Sequence, residues 1–177
     1  MRGRRFKTQS DIDRHIEKGF GQESQELYLP WLRVQDVPSH GRPRKVYGVK
    51  VDRLHHLLSD LEYGDLLVTE FSSEVLDIRE QYPILPQSAV QSIAHALNIR
   101  YPVDPGTKLP FVMTTDVLLT IKQPDGSTRL AARTLKYTES LNRHRRRVRV
   151  CRCSTRLEGG RHEFRTLQVR LQTLEYP

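Results

Sequence analysis

Hydrophobic residues recur along this chain in two rhythms, and the switches between them mark out its elements. Leu54, Leu57, Leu58, Leu61 and Val68 fall at helical spacing, so RLHHLLSDLE (Arg53 to Glu62) is predicted to lie in an amphipathic helix with a core-facing leucine stripe. Upstream, Thr8 or Ser10 can cap a short helix to about Lys18, with Gly19 as its stop. Tyr28 to Val37 reads as extended, Ser39 to Pro43 as a turn, and Lys45 to Val51 as an alternating strand. Val75 to Arg79 alternates again, and Tyr82 to Pro86 carries the chain out extended. Gln87 to Leu97 is then predicted as a helix with Ile93, Ala94 and Leu97 inward. Strand rhythm returns at Phe111 to Ile121 and at Leu130 to Tyr137. Helices interspersed with strands predict an α/β fold. With 177 residues, no repeat and no low-complexity linker, one domain is expected.

The last two strands are joined by Gln123-Pro124-Asp125-Gly126-Ser127. Pro-Asp-Gly suits a type I turn followed by a left-handed glycine, the three-residue hairpin loop with a bulge. That loop sets Gln123 opposite Ser127, which in turn sets Asp116 opposite Thr134 and Thr114 opposite Lys136. Strand side chains alternate, so these four share one face. Phe111, Met113, Val117, Leu119, Ile121, Ala131, Leu135 and Tyr137 collect on the other, where Arg133 is an exception the sequence does not explain. A two-residue loop would part Lys136 from Asp116. The turn chemistry favours the longer loop.

Charge changes the picture at one end only. The net charge is +8, which points to a polyanionic partner. Residues 143–177 hold ten arginines, no lysine and three acids, a balance of +7, and residues 1–142 are nearly neutral at +1. This tail can be read as a basic DNA-contacting extension, because arginine suits phosphate. It can also be an irregular domain end. The reading that best fits its arginine-only usage is a sequence that does not continue the one for which the body was selected, as after a shift of reading frame. Cys151 and Cys153 with His144 or His162 match no standard zinc spacing. No apolar run is long enough to span a bilayer and no secretory leader is visible, so a cytoplasmic, non-membrane protein is expected.

The candidate chemistry lies in the body. An acid on a helix (Glu62), an acid on a strand (Asp116) and a lysine on the adjacent strand (Lys136) form a set that metal-dependent nucleases use. Two carboxylates suit a hard divalent cation, and an ammonium group can assist an activated water or a scissile phosphate. The bland alternatives are a solvated helical glutamate and a hairpin with a polar outer face. His55, His56, Arg42, Arg44 and Lys45 are candidate DNA contacts, the histidines equally well packing residues.

From about Arg14 to Leu141 the chain resembles the TnsA family, the endonuclease subunit of heteromeric bacterial transposases. The resemblance rests on EKGFGQ, YLPWLRVQDVPSHGR, RLHHLLSDLE, EVLDIREQYPILP, VMTTD and LKY, in that order. It implies a restriction-endonuclease-like fold, a mixed central sheet flanked by helices, with Mg2+ at the site and Mn2+ as a substitute. Glu62 and Asp116 then look like the metal-binding acids and Lys136 like the catalytic lysine. Where the wider superfamily carries an acid two positions before the lysine, this chain has Thr134, able to make only a weak or water-mediated metal contact. The implied partners are double-stranded DNA at transposon ends, a transposase of the DDE type that cuts the other strand, and a regulatory ATPase. On this basis residues 1–142 are expected to form the catalytic domain, and 143–177 an atypical tail that leaves the fold incomplete and a sheet edge open. Two further readings stay in view: a catalytically inactive relic that retains DNA or transposase binding, and a standalone basic DNA-binding protein.

Overall fold

The computed structural model describes residues 6–37 and 41–137, and the backbone of 164–169. Helix α1 (Gln9–Glu17) starts on a capping box in which Thr8 and Asp11 satisfy each other's backbone N–H groups. It packs Ile12 against Phe20 and Trp31 in a small core of its own. A hairpin of β1 (Arg44–Tyr47) and β2 (Leu54–Leu57) follows, then α2 (Asp60–Glu70), β3 (Val75–Pro83), α3 (Gln87–Ala96), β4 (Thr114–Lys122), β5 (Thr128–Tyr137) and β6 (Phe164–Val169). Strands β3 to β6 form one sheet in chain order. The fold is α/β, with sheets flanked by helices. In the four-stranded sheet every pairing is antiparallel, in place of the mixed strand directions expected.

The helix expected over RLHHLLSDLE is in fact two elements. Leu54–Leu57 is a strand paired with Arg44–Tyr47, and α2 begins only after Ser59, whose backbone is extended at φ −149° and ψ 162°. The Ser59 side chain accepts a hydrogen bond from the Glu62 N–H and so caps the helix. The leucine spacing misled because β2 buries His55, His56 and Leu57 in succession, and a strand buried on both faces shows no alternation. Leu54 and Val68, placed in the stripe, are exposed, whereas Leu57, Leu61 and Leu66 face the main core. There they meet Val75, Ile78, Val117, Leu119, Ile121, Ala131 and Leu135, each valine, leucine or isoleucine worth about 1.5–3 kcal/mol when fully buried.

The hairpin forms in the expected register, from Lys122↔Thr128 to Val117↔Arg133. Gly126 takes the left-handed φ of 84°, and the Gln123 N–H bonds to Ser127 O at 2.8 Å. Phe111, Met113 and Tyr137 are exposed rather than core residues, and α3 buries none of its side chains, so Ile93 and Leu97 do not point inward. Against the expectation that the tail leaves a sheet edge open, β5 is paired with β6, from Ala132↔Val169 to Tyr137↔Phe164. Apart from β6, residues 143–177 lie outside the described residues, and with them the Cys151–Cys153 pair and its histidines. Among the described residues no helix is long and apolar enough to cross a membrane.

Candidate active site

Capping places Glu62. As the third residue of α2 it sits where the free N–H groups of a helix start favour negative charge. Its carboxylate accepts from the Leu58 N–H at 2.8 Å and from the Ser59 hydroxyl at 3.1 Å. A third donor, the Gln81 side-chain amide, reaches it from β3 at 3.4 Å. Glu62 is only 7% exposed, so it lies inside the protein rather than on its rim. Burial pushes its pKa up, and the negative charge of Asp116 adds to the rise against the hydrogen bonds from Leu58, Ser59 and Gln81. No cationic side chain among the described residues pairs with it.

Asp116 arrives where β4 and β5 part. The backbone ladder ends at Val117↔Arg133, and side chains then take over the pairing. Thr115 Oγ1 donates to Arg133 O at 2.9 Å, and Asp116 Oδ2 accepts the Leu135 N–H at 2.6 Å. One carboxylate oxygen thus stands in for a strand carbonyl, which fixes the half-buried Asp116 at the mouth of the gap. Thr134 is half-buried and Lys136 exposed, and by register both continue the face of β5 that carries Ala132. Lys136 makes no ion pair among the described residues.

Arg133, unexplained by the sequence, points to α2. Its Nη1 donates to Asp65 Oδ1 at 3.0 Å and to Thr69 Oγ1 at 3.1 Å. Burial raises the pKa of Asp65; Arg133 opposes the rise, and Asp116 adds to it. Asp65 is therefore a third acid in the electrostatic reach of Asp116, already held by an arginine.

The expected DNA contacts divide. Arg42 and Lys45 are exposed. Arg44 is engaged with Asp60 and lies over the Tyr63 ring at 4.7 Å. His55 is fully buried with its Nδ1 3.0 Å from Glu80 Oε2, so it is an interior residue and not a DNA contact. His56 is buried as well, and its Nδ1 accepts from the Val34 N–H at 3.4 Å. Burial lowers its pKa, with help from the positive charges of Lys45, Arg33 and Arg53.

Two features of the site escaped the sequence reading. The Ser59-to-Glu62 spacing is a helix-start signature and could have located α2. Gln81 carried only a faint signal, as the last of three consecutive polar residues (Arg79, Glu80, Gln81) in a strand segment. In the structure Glu80 and Gln81 are buried, and Gln81 has φ +49°, a left-handed conformation that costs a non-glycine residue on the order of 1–3 kcal/mol.

A divalent cation fits this donor set. Asp116 acts on the buried Glu62 as a second negative charge, and the groups that bond to Glu62, the Leu58 N–H, the Ser59 hydroxyl and the Gln81 amide, are neutral. Mg2+ commonly takes one or two carboxylates and keeps several waters, which matches a site with two acids. Among the described residues no group of three or more His, Cys, Asp or Glu side chains is arranged to hold a metal by itself.

The family described as TnsA-like endonuclease N terminal matches residues 72–175. That span contains Gln81, Asp116, Thr134 and Lys136, and Glu62 precedes it. The chain is also 47% identical over 115 residues to the transposon Tn7 transposition protein TnsA of Escherichia coli, covering 65% of this chain and 41% of that protein. It therefore spans less than half the length of that curated relative.

Proposed function

Because this chain belongs to the TnsA-like endonuclease N-terminal family, we propose that it is a metal-dependent DNA endonuclease that opens phosphodiester bonds by in-line attack of water. The observation that supports this reading is that Glu62, buried on α2, feels the negative charge of Asp116 on β4 and has no cationic partner among the described residues. Glu62 and Asp116 would hold Mg2+, with Mn2+ able to replace it. Such a cation lowers the pKa of a water and offsets charge on the scissile phosphate. The protein's own contributions are positional. Ser59 and the Leu58 N–H fix Glu62, and the Leu135 N–H fixes Asp116. Lys136, exposed and unpaired among the described residues, is available to the phosphate or to the attacking water. Thr134 brings a hydroxyl but no charge.

In this reading the substrate is double-stranded DNA at the ends of a mobile element, as the name of the transposition relative suggests. A DDE-type transposase would cut the other strand, and a regulatory ATPase would control both. Arg42 and Lys45, exposed on the segment that leads into α2, are the basic side chains we assign to the DNA backbone. A second reading, an inactive relic that retains DNA or transposase binding, is favoured by Thr134 alone, since it leaves the site with two acids. The test is nicking of supercoiled plasmid in Mg2+ by the 177-residue chain and by Asp116→Ala. The endonuclease reading expects nicking by the parent, none by the variant, and DNA binding by both. Equal nicking by the two would refute the assignment, and an inactive parent that still binds DNA would favour the relic.

A further inference from the structure

We propose that Gln81 is a positioning residue for Glu62: from β3 it donates to Oε2, the oxygen that the Leu58 N–H also holds, and so helps to orient the carboxylate toward a cation shared with Asp116. The proposal rests on the endonuclease reading above and adds a residue to its machinery. In the β3–β4 ladder Glu80 pairs with Val117 and Tyr82 with Thr115, so Gln81 falls opposite Asp116. Its φ of +49° breaks the strand's alternation. Two consecutive residues are thereby buried with separate partners. Glu80 meets Arg53 and His55, whereas the Gln81 amide reaches Glu62 Oε2 at 3.4 Å. The Gln81 carbonyl is itself held by the Trp31 N–H at 3.3 Å, so the unusual backbone is braced from the α1 side of the molecule.

The chemistry explains why an amide suits the position. A third carboxylate there would add to the repulsion that Glu62 and Asp116 already feel, and a lysine would occupy the place of the cation. A neutral donor fixes the orientation of Glu62 without changing the charge of the site. Strain inside a strand is also easiest to understand where a side chain must be delivered to a functional group.

Two variants of the full chain separate side chain from backbone. Gln81→Met keeps the length of the side chain and removes the amide. Gln81→Gly removes the side chain but accepts a positive φ without strain, so it should fold at least as well as the parent. We expect Mn2+ binding, followed by titration calorimetry without DNA, to weaken by roughly tenfold to a hundredfold in both variants, the usual range for a lost partner of a metal ligand. DNA affinity in metal-free buffer should not change, and nicking should recover as Mn2+ is raised, which a merely structural role would not produce. Parent-like Mn2+ affinity in Gln81→Gly, with Glu62→Gln binding none, would overturn the role of Gln81 and leave the site intact. A parent chain that binds no Mn2+ would overturn the site and this proposal together. Loss of the cooperative melt in Gln81→Gly would also overturn it, because the side chain would then be a requirement of folding.

Discussion

Two glutamates in this molecule are buried to nearly the same degree and treated in opposite ways. Glu80, 1% exposed on β3, receives the Arg53 guanidinium on both oxygens, the His55 ring and the His56 N–H. Burial opposes its ionisation, yet the hydrogen bonds and charges of Arg53 and His55 hold its pKa down to about 2. Glu62, 7% exposed on α2, receives neutral donors only and is pushed the other way. The first carboxylate has its counter-charge built into the chain. The second has none among the described residues and feels another acid, a condition that favours a cation from solution. Charge alone therefore does not mark a functional site in this interior. What separates the two carboxylates is that Glu62 has no cationic partner among the described residues.

The largest expected effects lie on the Glu80 side. Arg53→Met leaves an ionised carboxylate buried without its cation and should destabilise the chain by about 3–5 kcal/mol in urea denaturation. Glu62→Gln should cost less than about 1 kcal/mol, because it removes a charge that burial already disfavours. Similar losses in the two variants would erase the contrast. Gly48 offers a steric test of the same region, since a Cβ added there would lie 2.4 Å from Val51 O and 2.6 Å from His55 Nε2. Gly48→Ala should therefore disturb the Glu80 cluster.

Acid should sharpen the comparison next. A carboxyl whose folded pKa lies below its unfolded value adds stability that is complete above the unfolded value and lost as pH falls through the folded one. For Glu80 that window runs from 4.5 down to about 2. At about 1.4 kcal/mol per unit, the stability gap between parent and Glu80→Gln should shrink by roughly 3 kcal/mol on going from neutral pH to about pH 2. Glu62 has the opposite sign, since its folded pKa is raised above 4.5. Its contribution is most favourable in acid and is lost as pH rises above 4.5, so Glu62→Gln should gain on the parent toward neutral pH. A gap for Glu80→Gln that does not change with pH would contradict the assigned charges.

How much of this was legible in the sequence depended on the range of the cause. The β4–β5 register was readable because Pro124-Asp125-Gly126 sets it within a few residues. The start of α1 was readable to within two residues for the same reason, with Thr8 rather than Ser10 as its cap. The start of α2 was misread because leucines at helical spacing crossed a strand buried on both faces. Arg133 found no explanation because its partner Asp65 lies 68 residues away on another element. Gln81 stayed hidden because its positive φ is braced by Trp31, a tertiary contact that no local pattern announces. The candidate acids were named from residue type and register, whereas the groups that hold them, Ser59, Gln81 and the Leu135 N–H, were not.

The smallest effects belong to the exposed basic residues. Arg42→Ala and Lys45→Ala should each weaken DNA binding modestly and lower the slope of log affinity against log salt by about 1. Neither should alter the response to metal. A change in metal response without a change in salt slope would move these residues from the DNA surface to the site.

The most direct test of the missing counter-charge is the melting temperature of the 177-residue chain with and without millimolar Mg2+, compared with Glu62→Gln, Asp116→Asn and Arg42→Ala. A cation that binds only the folded state raises the melting temperature. The account predicts a rise for the parent and for Arg42→Ala, and none for Glu62→Gln or Asp116→Asn. An equal rise in all four proteins would place the bound cation elsewhere and contradict the claim that Glu62 and Asp116 hold it.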